Sequence, residues 1–405
     1  MRRNFFLLLF GAGGAQLITL ALLPIIGRLY SAETFGQLGV VMAVVSVSAV
    51  VVHGRYQMAI PVVEDEDEAA TLLGLATYLA LALSFPVAAA ATFISVTSPS
   101  ALNFGVTLAW AGVLTFLTAW LDIASYWRSR RGRFIVTARN GLARSVGTGV
   151  GQIALSPFGS RGLLLGTFAG AAIAAFLSAI DILRNERSVL RRPEWRELAR
   201  AAKRHRHHPL YGMPQGWLAS LSWNLMPLLL MRYVGAVVTG QYWIAYRLLV
   251  APVALFNGVY RQASFPHFAR SGMRRSGEIA VRHALLILAA GLVPAWMLYE
   301  YGEVFFSFLM GQQWGMAGTI AGWMAIGILA DFFKIPIQCH LQSHGRQRRL
   351  LGWEASVMIA RYAVAVGYAA AGDAIGAVAA FSIIGAGGWL LFLASENFRA
   401  RHSET

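Results

Sequence analysis

Residues 27–76 read GRLYSAETFGQLGVVMAVVSVSAVVVHGRYQMAIPVVEDEDEAATLLGLA, and their order decides the class of fold. A polar turn, Arg28-Leu29-Tyr30-Ser31-Ala32-Glu33, precedes an apolar run that ends near His53. A polar loop follows and closes on Glu64-Asp65-Glu66-Asp67-Glu68, after which a second apolar run begins. As a helix, each run is long enough to cross the hydrocarbon core of a bilayer, which takes about 20 residues. Span, charged loop, span is the rhythm of the whole chain.

Composition says the same. Hydrophobic residues make up 57% of the 405 residues and charged residues 13%, about half the charged share of a soluble domain. Most of the chain must face lipid, and no length remains for a sizeable soluble domain. Twelve apolar runs are legible, at 5–26, 35–53, 70–94, 101–121, 135–155, 162–183, 209–231, 241–260, 280–299, 317–337, 352–370 and 374–395. Barrel strands would alternate over about ten residues, and these runs do not, so helices are expected throughout.

The net charge of +15 does not point to nucleic acid, because the basic residues lie in loops between apolar runs. One alternating set of loops, from 1–4 to 396–405, holds 25 Arg and Lys residues; the other holds Arg28, Arg161 and Arg232 alone. That asymmetry assigns the first set and both termini to the cytoplasm. Met1-Arg2-Arg3-Asn4 before an apolar run resembles a signal peptide, but the run continues to Ile26 with no small-residue cleavage site, so a retained first helix is expected. The single Cys339 excludes a disulfide framework or a cysteine metal site.

The longest cytoplasmic loop, RNERSVLRRPEWRELARAAKRHRHH at 184–208, divides the chain into six-span lobes at 1–183 and 209–405. Trp195, Leu198 and Ala202 share one face of a possible surface helix, with Arg196, Arg200 and Lys203 on the rest; such a segment can rest on anionic membrane lipids. His205-Arg206-His207-His208 has no carboxylate or cysteine beside it in sequence, so no metal is expected there. The outward segment 300–316 is rich in aromatics and is expected at the interface, with Trp314 as its anchor.

A shift of 204 residues aligns the lobes. Arg28 falls on Arg232, Ala32 on Ala236, Gly36-Gln37 on Gly240-Gln241, Gly54 on Gly258, Tyr56 on Tyr260 and Ala59 on Ala263. With six spans each, both lobes enter from the cytoplasm, so the repeat is parallel. The fold expected is an all-α polytopic membrane protein, twelve transmembrane helices in two parallel six-helix lobes around a central cleft.

Ionisable residues inside spans are costly, which makes each a functional candidate. Arg144, Arg247 and Arg361 lie within spans; Lys334 stands three residues after Asp331, a spacing that also suits a local ion pair. Asn140, Arg144, Thr148 and Gly151 share a helical face. The candidate cargo-binding set is Arg144, Arg247, Arg361, Lys334, Asn140, Gln16 and Asn224; Arg28, Arg232, Arg55 and Asp331 are candidates for gate or structural roles. Structural pairing remains the alternative for the arginines, and hydrogen bonding between helices for Gln16 and Asn224. Cations in excess over carboxylates suit an anionic cargo, and the planar guanidinium suits phosphate oxygens. No Walker phosphate loop, HExxH or GxSxG is present, so neither a catalytic site nor a cofactor is expected.

Gln16, Pro24, the turn from Arg28 to Gly36, Arg55-Tyr56-Gln57-Met58-Ala59-Ile60 and Glu68-Ala69-Ala70 carry a family pattern. So do His208-Pro209-Leu210-Tyr211-Gly212-Met213-Pro214, Gly240-Gln241-Tyr242, Ala245 to Pro252 and Gln262-Ala263-Ser264-Phe265-Pro266. Together these stretches resemble the O-antigen (Wzx-type) flippases, the polysaccharide branch of the multidrug/oligosaccharidyl-lipid/polysaccharide (MOP) exporter superfamily. Gln57 departs from the pattern, which has an acidic residue there. The resemblance implies a transporter of the bacterial inner membrane, not an enzyme. It would carry an undecaprenyl-diphosphate-linked glycan from the cytoplasmic to the periplasmic leaflet by alternating access, with a glycan polymerase downstream. The alternatives are a multidrug exporter of the same superfamily, which needs carboxylates within the membrane, and a membrane polymerase or ligase, which needs a large outward loop.

Overall fold

A computed structural model describes residues 2–97, 105–186 and 193–402. Among these residues there are helices and turns and no strand. Twelve long helices coincide one for one with the twelve apolar runs: α1 (Arg2–Leu29), α2 (Ala32–Val52), α3 (Glu66–Thr97), α4 (Gly105–Arg130), α5 (Phe134–Ala154), α6 (Ser160–Asn185), α8 (Met213–Tyr233), α9 (Ala236–Arg270), α10 (Met273–Met310), α11 (Gly315–Ser343), α12 (Gln347–Ala370) and α13 (Ala374–His402). The short α7 (Trp195–Arg204) lies in the basic loop. The first residues of the fourth run, most of the loop at 95–100, and Arg187, Arg191 and Arg192 of the basic loop lie outside the described residues.

Among the described residues, seven helices are long and apolar enough to cross a membrane by length and hydropathy alone: α2, α3, α6, α10, α11, α12 and α13. Two of the remaining helices carry polar and charged residues that lower their hydropathy: α5 has Arg139, Asn140, Arg144 and Gln152, and α9 has Arg247, Asn257 and Arg261.

Caps and turns are set by local chemistry. Ser31 caps α2, its Oγ accepting from Thr34 N at 3.3 Å. Asp65 caps α3, accepting from the backbone of Asp67 and Glu68, each at 3.3 Å. The repeat holds at the helix starts, Ala32 for α2 and Ala236 for α9, and then diverges. After α2, Gly54 (φ 58°) and Arg55 (φ 60°) take the left-handed conformation and turn the chain into a 3-10 segment, Tyr56–Ala59. The equivalent residues of α9 stay helical to Arg270.

Two compact units form, Met1–Leu228 and Leu229–Thr405. Sequence alone put the division in the 184–208 loop; by contact the boundary falls inside α8, just after Pro227, and α7 belongs to the first unit. In that unit, α6 presents Gly162, Gly166, Gly170, Ala174 and Ser178 at a spacing of four to α5. A Cβ on Gly166 would lie 2.4 Å from Gln152 N, so the two backbones touch. Small residues at this spacing allow helices to pack closely in lipid. In the second unit, Trp314 is fully buried beside the Gly311 turn. It is a core residue and not the interface anchor expected, because the 3-10 turn Gln312–Trp314 folds it inward. Tyr301, Phe305 and Phe308 of α10 are the exposed aromatics there.

Candidate functional site

In the first unit the break after α2 builds a cavity. It has a volume of about 450 Å³ and is lined by Ser46, Ala49, Val50 and His53 of α2, by Arg55, by Thr118, Leu121, Asp122 and Ser125 of α4, and by Arg144 of α5. Its lining combines apolar side chains (Ala49, Val50, Leu121) with two cations, Arg55 and Arg144. Arg144 has no hydrogen-bond or ion-pair partner among the described residues. Arg55 is held by backbone conformation: its N–H donates to His53 Nδ1 at 3.3 Å, and its guanidinium lies against Gly216, where a Cβ would come within 1.7 Å of it. A side chain at position 216 would displace it.

The single carboxylate in the cavity is engaged. Gln57 Nε2 donates to Asp122 Oδ2 at 2.9 Å and lies 3.1 Å from His53 Nε2; His53 Nε2 lies 3.4 Å from Asp122. Gln57 and His53 are both buried. Burial and the neighbouring Asp122 push the Tyr126 phenol above its usual pKa, with Arg55 opposing them. Two guanidinium groups thus face one occupied carboxylate, so the cavity favours an anion, with Ser46, Thr118 and Ser125 offering hydroxyls beside it.

Below this site, arginines clasp the loop that the acidic run closes. Arg130 donates to the carbonyls of Ile60, Val63 and Glu64, and Arg131 pairs with Glu66 at 2.9 Å and Glu186 at 2.7 Å. The acidic run is therefore held in a structural turn, with Glu66 paired and Asp65 capping α3.

The other sequence candidates separate. Asn140 is buried and donates to Ser178 Oγ at 3.0 Å, which also accepts from Arg128 at 3.0 Å. It thus ties α5 to α6 and α4 and does not line the cavity. Thr148 and Gly151 likewise meet α6, at Gly170 and Gly166, so the face predicted to hold Asn140, Arg144, Thr148 and Gly151 divides. Asn224 donates to the carbonyl of Ser220, one turn back, at 2.8 Å. Gln16 is half-buried on α1 and has no hydrogen bond among the described residues. Arg28 is exposed at its turn; Arg232 is exposed and lies 5.7 Å from the Tyr233 ring.

The remaining candidates belong to the second unit. Arg361 is buried, with its guanidinium carbon 4.2 Å from the Phe381 ring centroid. Lys334 pairs with Asp331 and lies 5.1 Å from the Trp389 ring, which realises the local ion pair. Glu354 accepts from Gln338 at 2.8 Å, and Arg261 donates to Asn257, Gln338 and Gln342. Arg247 on α9 has no partner among the described residues. His53 and Asp122 were not sequence candidates because they sit at span ends, and Gln57 stood out only as a departure from the family pattern; the signal available was the Gly54-Arg55 pair that folds the chain back over them.

The comparisons agree with this architecture. A family model described as polysaccharide biosynthesis protein matches residues 25–318. The teichuronic acid biosynthesis protein TuaB of Bacillus subtilis (strain 168) is 24% identical over 140 residues, 34% of this chain and 29% of TuaB. This match spans under a third of that relative's length. Among solved structures, an inward-facing multidrug resistance MATE family transporter of the MOP superfamily aligns with a TM-score of 0.71 at 13% identity, over 96% of each chain. A MOP superfamily transporter from Pyrococcus furiosus Vc1, described as having a binding pocket of reversed polarity, aligns at 0.56 and 12% identity, over 97% of this chain and 94% of that one. At such identities the likeness shows the fold, which is that of MOP superfamily transporters.

Proposed function

The chain belongs to the polysaccharide biosynthesis protein family, and from that premise we propose that it is a flippase for a lipid-linked glycan. Its cargo is an undecaprenyl-diphosphate-linked oligosaccharide, an O-antigen or related repeat unit, carried from the cytoplasmic to the periplasmic leaflet of a bacterial inner membrane by alternating access. No bond is made or broken. A glycan polymerase would consume the delivered unit.

The observation that supports this reading is Arg144, within a helix read as a span, without a partner among the described residues, in one cavity with Arg55. An unpaired guanidinium in that setting is costly unless a ligand completes it. Two guanidinium forks match the oxygens of a diphosphate, and the hydroxyls beside them suit sugar. In the second unit, Arg247, with no partner among the described residues, and buried Arg361 are separate candidates for cargo contact. By contrast, Lys334 with Asp331 and Asn140 with Ser178 are better read as structural.

A cationic-drug exporter would need a free carboxylate, and Asp122, the one carboxylate among the described residues lining the cavity, is already held by Gln57 and shares the cavity with two arginines. Complementation of a flippase-deletion strain tests the reading. Wild type restores surface polysaccharide; Arg144→Ala, present at equal level in the membrane, does not. Full complementation by Arg144→Ala together with Arg55→Ala would sink it. A drug-resistance change in the deletion strain, with surface polysaccharide intact, would favour the exporter.

A further inference from the structure

The basic helix α7 does not line the cavity described above, and it is firmly held with a cationic outward face. Its start is built by a capping box between Glu194 and Glu197, with Glu194 N donating to Glu197 Oε2 at 3.0 Å. Leu198 and Ala201 are buried in the same core as Ala69, Leu72 and Leu73 of α3. Tyr56 Oη donates to the Ala202 carbonyl at 3.3 Å. Glu68 receives Arg204 at 3.1 Å and meets His205 at 2.9 Å.

These contacts give α7 a depth. Pro193, just before it, lies against Gly74, where a Cβ would be 3.3 Å from Pro193 Cγ. Arg204 and His205, at its end, lie against Glu68. The helix therefore runs beside the first two turns of α3, starting one turn inside the apolar run that opens near residue 70 and ending at the charged loop. Six residues of α3 cover about 9 Å, the thickness of an interfacial layer.

The spacing of Arg196, Arg200 and Lys203, four and then three, places them on one stripe. At about 100° per residue that stripe points roughly 160° away from Leu198 and Ala201. All three are exposed and none has an ion-pair partner among the described residues. Trp195, at the deeper end, is 81% exposed. An exposed Trp at the acyl boundary with cations further out is the order of groups that anionic headgroups accept.

We propose that the Trp195, Arg196, Arg200 and Lys203 face of α7 is a docking surface for anionic phospholipid headgroups of the cytoplasmic leaflet. It does not depend on the identity of the cargo. Each basic residue near an anionic surface contributes about a factor of five in affinity, so removing three lowers the preference for anionic over zwitterionic lipid by roughly a hundredfold.

The test uses the full chain in nanodiscs of phosphatidylcholine alone or mixed with phosphatidylglycerol. A spin label is placed at Ala199, with Cys339→Ser in the background. With phosphatidylglycerol, the wild-type label reads headgroup depth in power saturation against oxygen and a nickel chelate. The R196Q/R200Q/K203Q variant keeps that depth, which the α3 contacts set, and mass spectrometry finds its retained phosphatidylglycerol at least tenfold lower. A water-exposed label on the wild type in phosphatidylglycerol, or equal retention by the variant, overturns the proposal; so does preferential capture of an acidic soluble protein or nucleic acid. If the variant does not fold, the wild type in the mixed bilayer still decides, since retention of phosphatidylcholine and phosphatidylglycerol in proportion to their abundance contradicts an anionic docking surface.

Discussion

Gly170→Ala tests the packing that positions Arg144. A Cβ at residue 170 would lie 2.0 Å from Thr148 Oγ1, 2.5 Å from Thr148 N and 2.6 Å from Arg144 O. Two of the three atoms are backbone, so rotamer changes cannot relieve them. Restoring an ordinary 3.4 Å contact to Arg144 O moves α5 away by about 0.8 Å. Overpacking of this kind costs about 3 kcal/mol, at the upper end of its usual range, against about 1 kcal/mol gained in helix propensity. The net expectation is a loss of about 2 kcal/mol. The control is Gly367→Ala in α12, where a Cβ meets nothing within 4 Å; there the propensity gain stands alone. Unfolding of the purified full chain in nanodiscs measures both. Equal stability of Gly170→Ala and Gly367→Ala would refute the close α5–α6 contact.

Other outcomes follow from single groups. Arg130→Gln removes the donor to the Ile60, Val63 and Glu64 carbonyls and costs about 2–3 kcal/mol, read as faster hydrogen exchange over residues 54–66. Gly216→Ala collides only with the far end of the Arg55 side chain, so it leaves the unfolding midpoint nearly unchanged while lowering complementation. Burial, then His207 and His205, push the His208 pKa from 6.5 down to about 4. The neutral imidazole is the folded form, so the stability it contributes is present above about pH 6.5 and is lost as pH falls toward 4. Unfolding midpoints at pH 7.5 and 5 differ less in His208→Phe than in wild type.

Hydropathy made the twelve helices legible, because lipid enforces length and apolarity together. The cost of a buried charge singled out Arg144. The same rule treated Arg144 and Arg361 alike and could not see that Phe381 receives Arg361. Nor could it see that Asn140 is consumed by Ser178, since partners from distant helices leave no local pattern. The cavity depends on a left-handed Arg55, a conformation that non-glycine residues rarely adopt and that only the packing of Gln57 beneath it reveals. On α7, periodicity found the helix and grouped Trp195 with Leu198, but could not see that Leu198 packs against α3. Trp195 lies far enough round from Leu198 to be exposed, and Ala201 fills the buried face instead.

The central claim is that an unpartnered Arg144 binds the anionic part of the cargo. Transport of an undecaprenyl-diphosphate-linked oligosaccharide across proteoliposomes, with wild type, Arg144→Lys and Arg144→Ala reconstituted at equal density, tests it most directly. The account predicts that Arg144→Ala abolishes transport and that Arg144→Lys, which keeps the charge but loses the planar fork, retains a small fraction. Wild-type transport by Arg144→Ala would contradict it.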